Sequence, residues 1–285
     1  MENINTATLV FLVVAFLFFV GSMFGWLLEL VFRRFFSNNN PERKWINPGF
    51  LVGPYLPLYG FGLCGLFVMS FIPYIGLKSL EGLTWGKAVV AIVAMSIMMT
   101  LIEYIAGIVF IKKMHVKLWD YSNEWGNIQG IICPRFSLFW TILAAIYYFF
   151  IQPHVINMVA WYFNNIAFTF VVGLFFGVFL VDFGYSVHVL SILRKFAQES
   201  EIIIRYEELK SHIRHATDEA KEKAHFMFAF KSGSPIIEHL ESYKEKLINE
   251  IAETKAEIKE TIQNKTEEIK STTEEIKNDI KNKFV

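Results

Sequence analysis

Three carboxylates sit in stretches that offer them little water. Glu29 ends the apolar run LVFLVVAFLFFVGSMFGWLL, Glu103 interrupts AIVAMSIMMTLIEYIAGIVF, and Asp182 interrupts FTFVVGLFFGVFLVDFGYSV. An acid in hydrocarbon costs ~2.5 kcal/mol or more, so such a group normally faces a cavity or a partner. Glu29 has the simplest explanation, an i,i+4 ion pair with Arg33. Glu103 precedes Lys112 by nine residues, which places it ~13 Å deeper at a helical rise of ~1.5 Å per residue. No local base reaches it, and Asp182 is deeper still relative to Arg194. The two acids lie in the second halves of spans that run the same way. The expectation is one polar pocket that both line, open to the cytoplasm, with the chemistry of binding rather than of bond cleavage.

Two irregular stretches belong with these acids. LWDYSNEWGNIQGIICPRF (118–136) mixes Asp120, Asn127 and Arg135 with Trp119 and Tyr121, and its glycines permit tight turns. It reads either as a polar site or as part of the interfacial aromatic belt. NPGFLVGPYLPLYGFG (47–62) opens on Asn47 and holds three prolines and four glycines, among them Gly53, Pro54 and Pro57. Proline frees carbonyls inside a helix. Irregular backbone at membrane depth is tolerated where it is buried in protein or lines a wet cavity. The competing reading is a kinked, packed helix with Tyr55 and Tyr59 at the interface. Gly21/Gly25 and Gly173/Gly177 have the G-x-x-x-G spacing of close helix packing. No metal or cofactor motif is found. GLTWGK (82–87) is too short for a phosphate loop, there is no nucleophile elbow, and Cys64 and Cys133 stand alone in apolar stretches as buried fillers. His154, beside Pro153, reads as a loop residue beyond span 4.

The elements that must position these groups follow from hydropathy. The 285 residues are 54% hydrophobic with zero formal net charge. That neutrality averages an apolar part, up to about residue 191, and a charged remainder. No basic excess argues for nucleic acid. Five stretches reach the ~20 residues a spanning helix needs: 9–32, 50–72, 88–111, 133–151 and 166–190. Arg33, Arg34, Arg43, Lys44, Lys112, Lys113, Lys117, Arg194 and Lys195 then fall on one side, with Lys78 and Lys87 opposite. The positive-inside rule puts the N-terminus outside and the tail in the cytoplasm. The expected fold is an all-α integral membrane protein of five transmembrane helices with a charged helical tail. Its divisions are a membrane domain (1–192), a helix continuing span 5 (193–230), a linker (231–235) and an amphipathic helix (236–285). In the last, Ile251, Ile258, Ile262, Ile269, Ile276 and Ile280 form a thin stripe, read as a free charged helix or as a weak coiled coil that self-associates. The first four spans match as two parallel copies: Glu29 to Trp45 and Glu103 to Trp119 are each sixteen residues, and Asn47 to Pro54 and Asn127 to Pro134 are each seven. Duplication and coincidence both account for these matches.

GWLLE (25–29), NPGFLVGPYLPLYGFG, LIEYIAG (101–107) and LWDYSNEWGNIQGIIC (118–133) together resemble a family labelled as type IV ABC-transporter permeases, the CmpB-like membrane domain. Glu29, Asn47, Gly53, Pro54, Glu103, Trp119, Asp120, Tyr121 and Asn127 match its motifs. An arginine common in the family after the glycine at Gly130 is replaced by Ile131, with Arg135 the nearest base. The resemblance implies a bacterial polytopic membrane protein of permease type, set in lipid, which would draw energy from a separate ATPase subunit. A scaffold or sensor whose tail binds a partner remains the alternative.

Overall fold

A computed structural model describes residues 5–37, 40, 43–74, 84–218 and 236–283. It is an all-α membrane protein with five helices long and apolar enough to span a bilayer. Helix α1 (Thr6–Phe35) opens on Asn5, whose side chain accepts from the Ala7 N–H, and closes on Arg33 and Arg34. An irregular segment follows and leads to α2 (Pro57–Met69). Helix α3 (Thr84–Ile108) widens into a π turn over Val109–Lys113. Helix α4 (Pro134–Ile146) passes through a second π turn, Tyr147–Ile151, into α5 (Gln152–Asn164). A 3-10 turn, Ile166–Phe168, leads into α6 (Thr169–Glu199).

Two of these boundaries correct the sequence reading. Span 4 does not stop at residue 151 but continues to Asn164, so His154 is helical and not in a loop. Pro153 has no N–H to donate to the preceding turn, and the wide π turn just before it accommodates that loss. Span 2 does not begin at residue 50. The backbone stays irregular through Leu56, and the helix opens on Pro57, where a missing N–H costs nothing. The kinked-helix alternative for 47–62 is therefore not what the chain adopts.

Helix α1 is the hub and packs on both α2 and α6, while α3 joins α2 to α4. The α1–α2 contact depends on glycine. A Cβ at Gly25 would lie 2.1 Å from the Tyr59 Cβ, and one at Gly21 2.8 Å from the Leu63 Cβ. Beyond it, Leu17 packs with Met95, Ala144 and Tyr147, and Phe18 with Tyr55, Phe175 and Phe179. The ring of Phe16 stacks on that of Tyr162 at 4.5 Å.

At the basic end the chain builds a small second core. Strand β1 (Val116–Lys117) pairs in parallel with β2 (Ile204–Arg205), followed by α7 (Tyr206–Asp218) and α8 (Ile236–Lys283). Val116, Leu190, Leu193, Ile204, Leu209, Ile213, Leu240 and Tyr243 are buried together. This differs from a continuous helix to residue 230. Helix α6 ends at Glu199 because Glu201 turns to positive φ (53°) and the Ile202 N–H bonds back to the Ala197 carbonyl at 3.0 Å, a left-handed cap made without glycine. It also differs from a tail independent of the membrane domain, since the start of α8 packs on α7 and shares a buried core with the end of span 5. The stretches AHFMFAF (224–230) and KSGSP (231–235), like Lys78, lie outside the described residues.

Candidate functional site

The three acids are held by different elements. The Asp182 carboxylate accepts four bonds. The backbone N–H groups of Val52 (3.1 Å) and Gly53 (2.8 Å) and the Tyr55 hydroxyl (2.6 Å) come from the irregular segment, and the Ser186 hydroxyl (3.1 Å) comes from one turn along α6. The segment can present two consecutive N–H groups because it is not helical, so prolines 54 and 57 make the site as much as Asp182 does. Asn47 braces the segment from within. Its amide donates to the carbonyls of Leu51 and Val52, both at 3.0 Å, and its oxygen accepts from Trp26 Nε1 at 2.6 Å.

Glu103 is 3% exposed. The Trp140 indole N–H (2.8 Å) and the Tyr121 hydroxyl (3.1 Å) donate to it, and no ion pair reaches it among the described residues. Glu29 pairs with Arg33 Nε at 2.9 Å and accepts from the Tyr59 hydroxyl at 2.8 Å, so its local ion pair forms as read. The rings of Tyr59 and Trp140 meet edge to face at 6.4 Å and bring the Glu29 and Glu103 sites side by side. No described residue bonds both Glu103 and Asp182. The pocket expected to join the two acids has no common partner among the described residues, because each acid finds its own neutral donors.

The 118–136 loop is braced on itself. Trp119 Nε1 donates to the Ile131 carbonyl at 2.9 Å, and Asn127 accepts from the Gly130 N–H at 3.0 Å while donating to the carbonyls of Ser122 and Glu124. Gly126 and Gly130 take positive φ, as their turns require. Asp120 accepts from Lys117 at 3.1 Å and from the Ser122 N–H at 3.0 Å. Burial pushes the Asp120 carboxyl up, but the donors from Ser122 and Lys117 outweigh it and hold the group below its ordinary value. Arg135 pairs with Glu124 at 3.0 Å and is 65% exposed. The loop reaches Glu103 through Tyr121, whose ring stacks on Phe136 at 4.2 Å; Asp120, Asn127 and Arg135 have other partners.

Sequence reasoning missed the group that ties the tail to the site. Lys210 of α7 is 4% exposed, and its ammonium donates to the carbonyls of Asn47 (2.7 Å) and Gly49 (3.3 Å). Beside it Glu207 meets Arg33 at 2.6 Å, which links α7 to α1. A lysine within YEELKSHIR looks like a solvated face, and no local signal marks it. Among the described residues no group of three or more His, Cys, Asp or Glu is placed to hold a metal.

A family model described as "Putative ABC-transporter type IV" matches residues 16–187, from within α1 to just past Asp182 in α6, and leaves out α7 and α8. No curated protein and no solved structure matches the chain. With its membrane domain matched over well more than half of the 285 residues, the chain belongs to the type IV ABC-transporter family that this model describes.

Proposed function

We propose that the chain is the permease-like membrane component of an ABC-type assembly, with Asp182 and the 47–56 segment as its polar site. The observation that carries this reading is the grip of Lys210 on the Asn47 and Gly49 carbonyls. The same short segment then donates two backbone N–H groups to Asp182. An irregular segment at an intramembrane carboxylate is how many transport sites are built. Here a helix outside the spans holds that segment, so a force applied to α7 reaches the site. The basic end faces the cytoplasm in this reading and the N-terminus lies outside. Glu29, Asn47, Glu103, Asp120, Asn127 and Arg135 act by positioning, through the contacts described above. The sequence carries no nucleotide-binding motif, so ATP would act through a separate subunit docked at α7 and α8.

Purification of the full-length chain from its native membrane in mild detergent, read by mass spectrometry, tests this. A near-stoichiometric ATPase subunit is expected; recovery of the chain with no ATPase overturns the reading. One observation favours a scaffold or sensor instead: past its packed start, α8 exposes Ile248, Ile251, Ile258 and Ile262. That reading requires truncation after Leu247 to abolish function while Glu103→Gln and Asp182→Asn leave it intact.

A further inference from the structure

The two G-x-x-x-G pairs differ in what covers them. Gly21 and Gly25 are filled by α2, whereas no described residue comes within 4 Å of a Cβ built on Gly173 or Gly177. Together with Tyr55, Val181 and Tyr185 these glycines border an open groove of about 800 Å³ along α6, with Asp182 in its wall. Helix α6 is among the most apolar of the five spans and the least covered by the rest of the protein, so the groove opens sideways toward the bilayer.

The wall is almost wholly apolar, yet it contains a carboxylate. The four partners of Asp182 are neutral donors, and among the described residues no Lys, Arg or His forms an ion pair with it. Neutral donors solvate a carboxylate without cancelling its charge. In a low-dielectric setting that charge attracts a cation and repels an anion of the same shape. Tyr185, 53% exposed beside it, adds aromatic surface of the kind that favours cations. An acyl chain would fill the apolar part of the groove but leave the carboxylate unused. We propose that the groove is a binding site for lipophilic monocations that arrive from the bilayer, with the apolar body against the glycine face of α6 and the charge against Asp182. This substrate class rests on the permease reading of the Asp182 site.

The test uses the full-length chain in zwitterionic nanodiscs. Tetraphenylphosphonium and its anionic isostere tetraphenylborate are each measured separately by equilibrium dialysis against empty nanodiscs. Saturable binding of the cation alone is expected. Asp182→Asn should weaken it by about tenfold or more. Gly177→Leu should do the same by filling the groove while leaving the carboxylate and its donors in place, so a folding defect in the first variant does not decide the outcome. Equal binding of both ions marks an acyl-chain groove and overturns the proposal, as does cation binding that survives both variants. Cation binding by a chain that recovers no ATPase from its native membrane keeps the ligand class and sinks the permease reading. No binding by a chain that copurifies with an ATPase does the reverse.

Discussion

A buried acid with two aromatic donors and no base among the described residues is the sharpest feature at the scale of single residues. Each oxygen of Glu103 has one donor, Tyr121 or Trp140. Replacement by leucine removes both acceptors and leaves a hydroxyl and an indole N–H stranded in a low-dielectric interior, at ~1–3 kcal/mol for each unsatisfied group. Glu103→Gln keeps one oxygen acceptor. Thermal unfolding in detergent should therefore rank wild type above Gln and Gln above Leu, and equal melting of the Gln and Leu variants would show that the donors find other partners. Asp120 makes a second prediction, through pH. Its folded value is depressed because the donors from Ser122 and Lys117 outweigh burial. A depressed acid contributes stability above its unfolded value, about 3.9, and loses it as pH falls through the folded value. Asp120→Asn should thus melt below wild type at neutral pH, and the gap should close as pH falls below about 4. A gap that holds constant into acid would mean the carboxylate charge is not what stabilises the loop.

Between elements, the same short motif does two different jobs. GSMFG in α1 and GLFFG in α6 look alike in sequence, yet a Cβ at Gly25 collides with Tyr59 while one at Gly177 meets none of the described residues. Gly25→Ala should destabilise by ~1–3 kcal/mol through overpacking. Gly177→Ala should be neutral or stabilising, by up to about 1 kcal/mol, through helix propensity alone. Similar melting of the two variants would mean that α1 and α2 are not in the close contact described. The irregular segment and α7 are likewise coupled through few atoms. Lys210→Met keeps an apolar stem of similar length and removes the ammonium that serves the Asn47 and Gly49 carbonyls. A hydrogen bond from a charged group contributes ~1.5–3 kcal/mol, so amide exchange over residues 47–56 should rise by roughly tenfold or more while the middle of α1 is unchanged. Unaltered exchange across 47–56 would show that α7 does not hold the segment.

At the scale of the whole molecule, what was legible is what local composition controls. Five spans follow from apolar length, and the breaking of the chain ahead of span 2 follows from its prolines and glycines. What was not legible depends on partners far away in sequence. Lys210 is buried by carbonyls 163 and 161 residues distant. The end of α6 turns on a left-handed glutamate where a glycine would have announced it. Glu103 and Asp182 share a direction along their helices but no partner among the described residues, and hydropathy alone does not fix the rotation of a span. The tail shows both sides of this. Its helix is written in the repeated Glu and Lys, but its docking is not. Leu240 and Tyr243 are buried in one cluster with Leu193, Leu209 and Ile213, Tyr243 donates to Glu208 at 3.2 Å, and His212 meets Ser242 at 3.2 Å. Ile248, Ile251 and Ile258 are exposed, and a helix gains little stability in water without burying an apolar face. The helix thus has an anchored start followed by a stretch with exposed isoleucines, and two truncations separate them. Ending the chain after Leu247 removes no buried contact of this core, so the melting temperature should stay within about 2 °C of wild type. Ending it before Ile236 strips out Leu240 and Tyr243, each contributing ~1.5–3 kcal/mol when fully buried. After the entropy of ordering those turns is subtracted, a fall of roughly 5–10 °C is expected. If the shorter truncation already lowers the melting temperature by that much, the distal helix is packed against a second copy or another chain; if neither truncation does, the α7–α8 core contributes nothing to holding the basic end together.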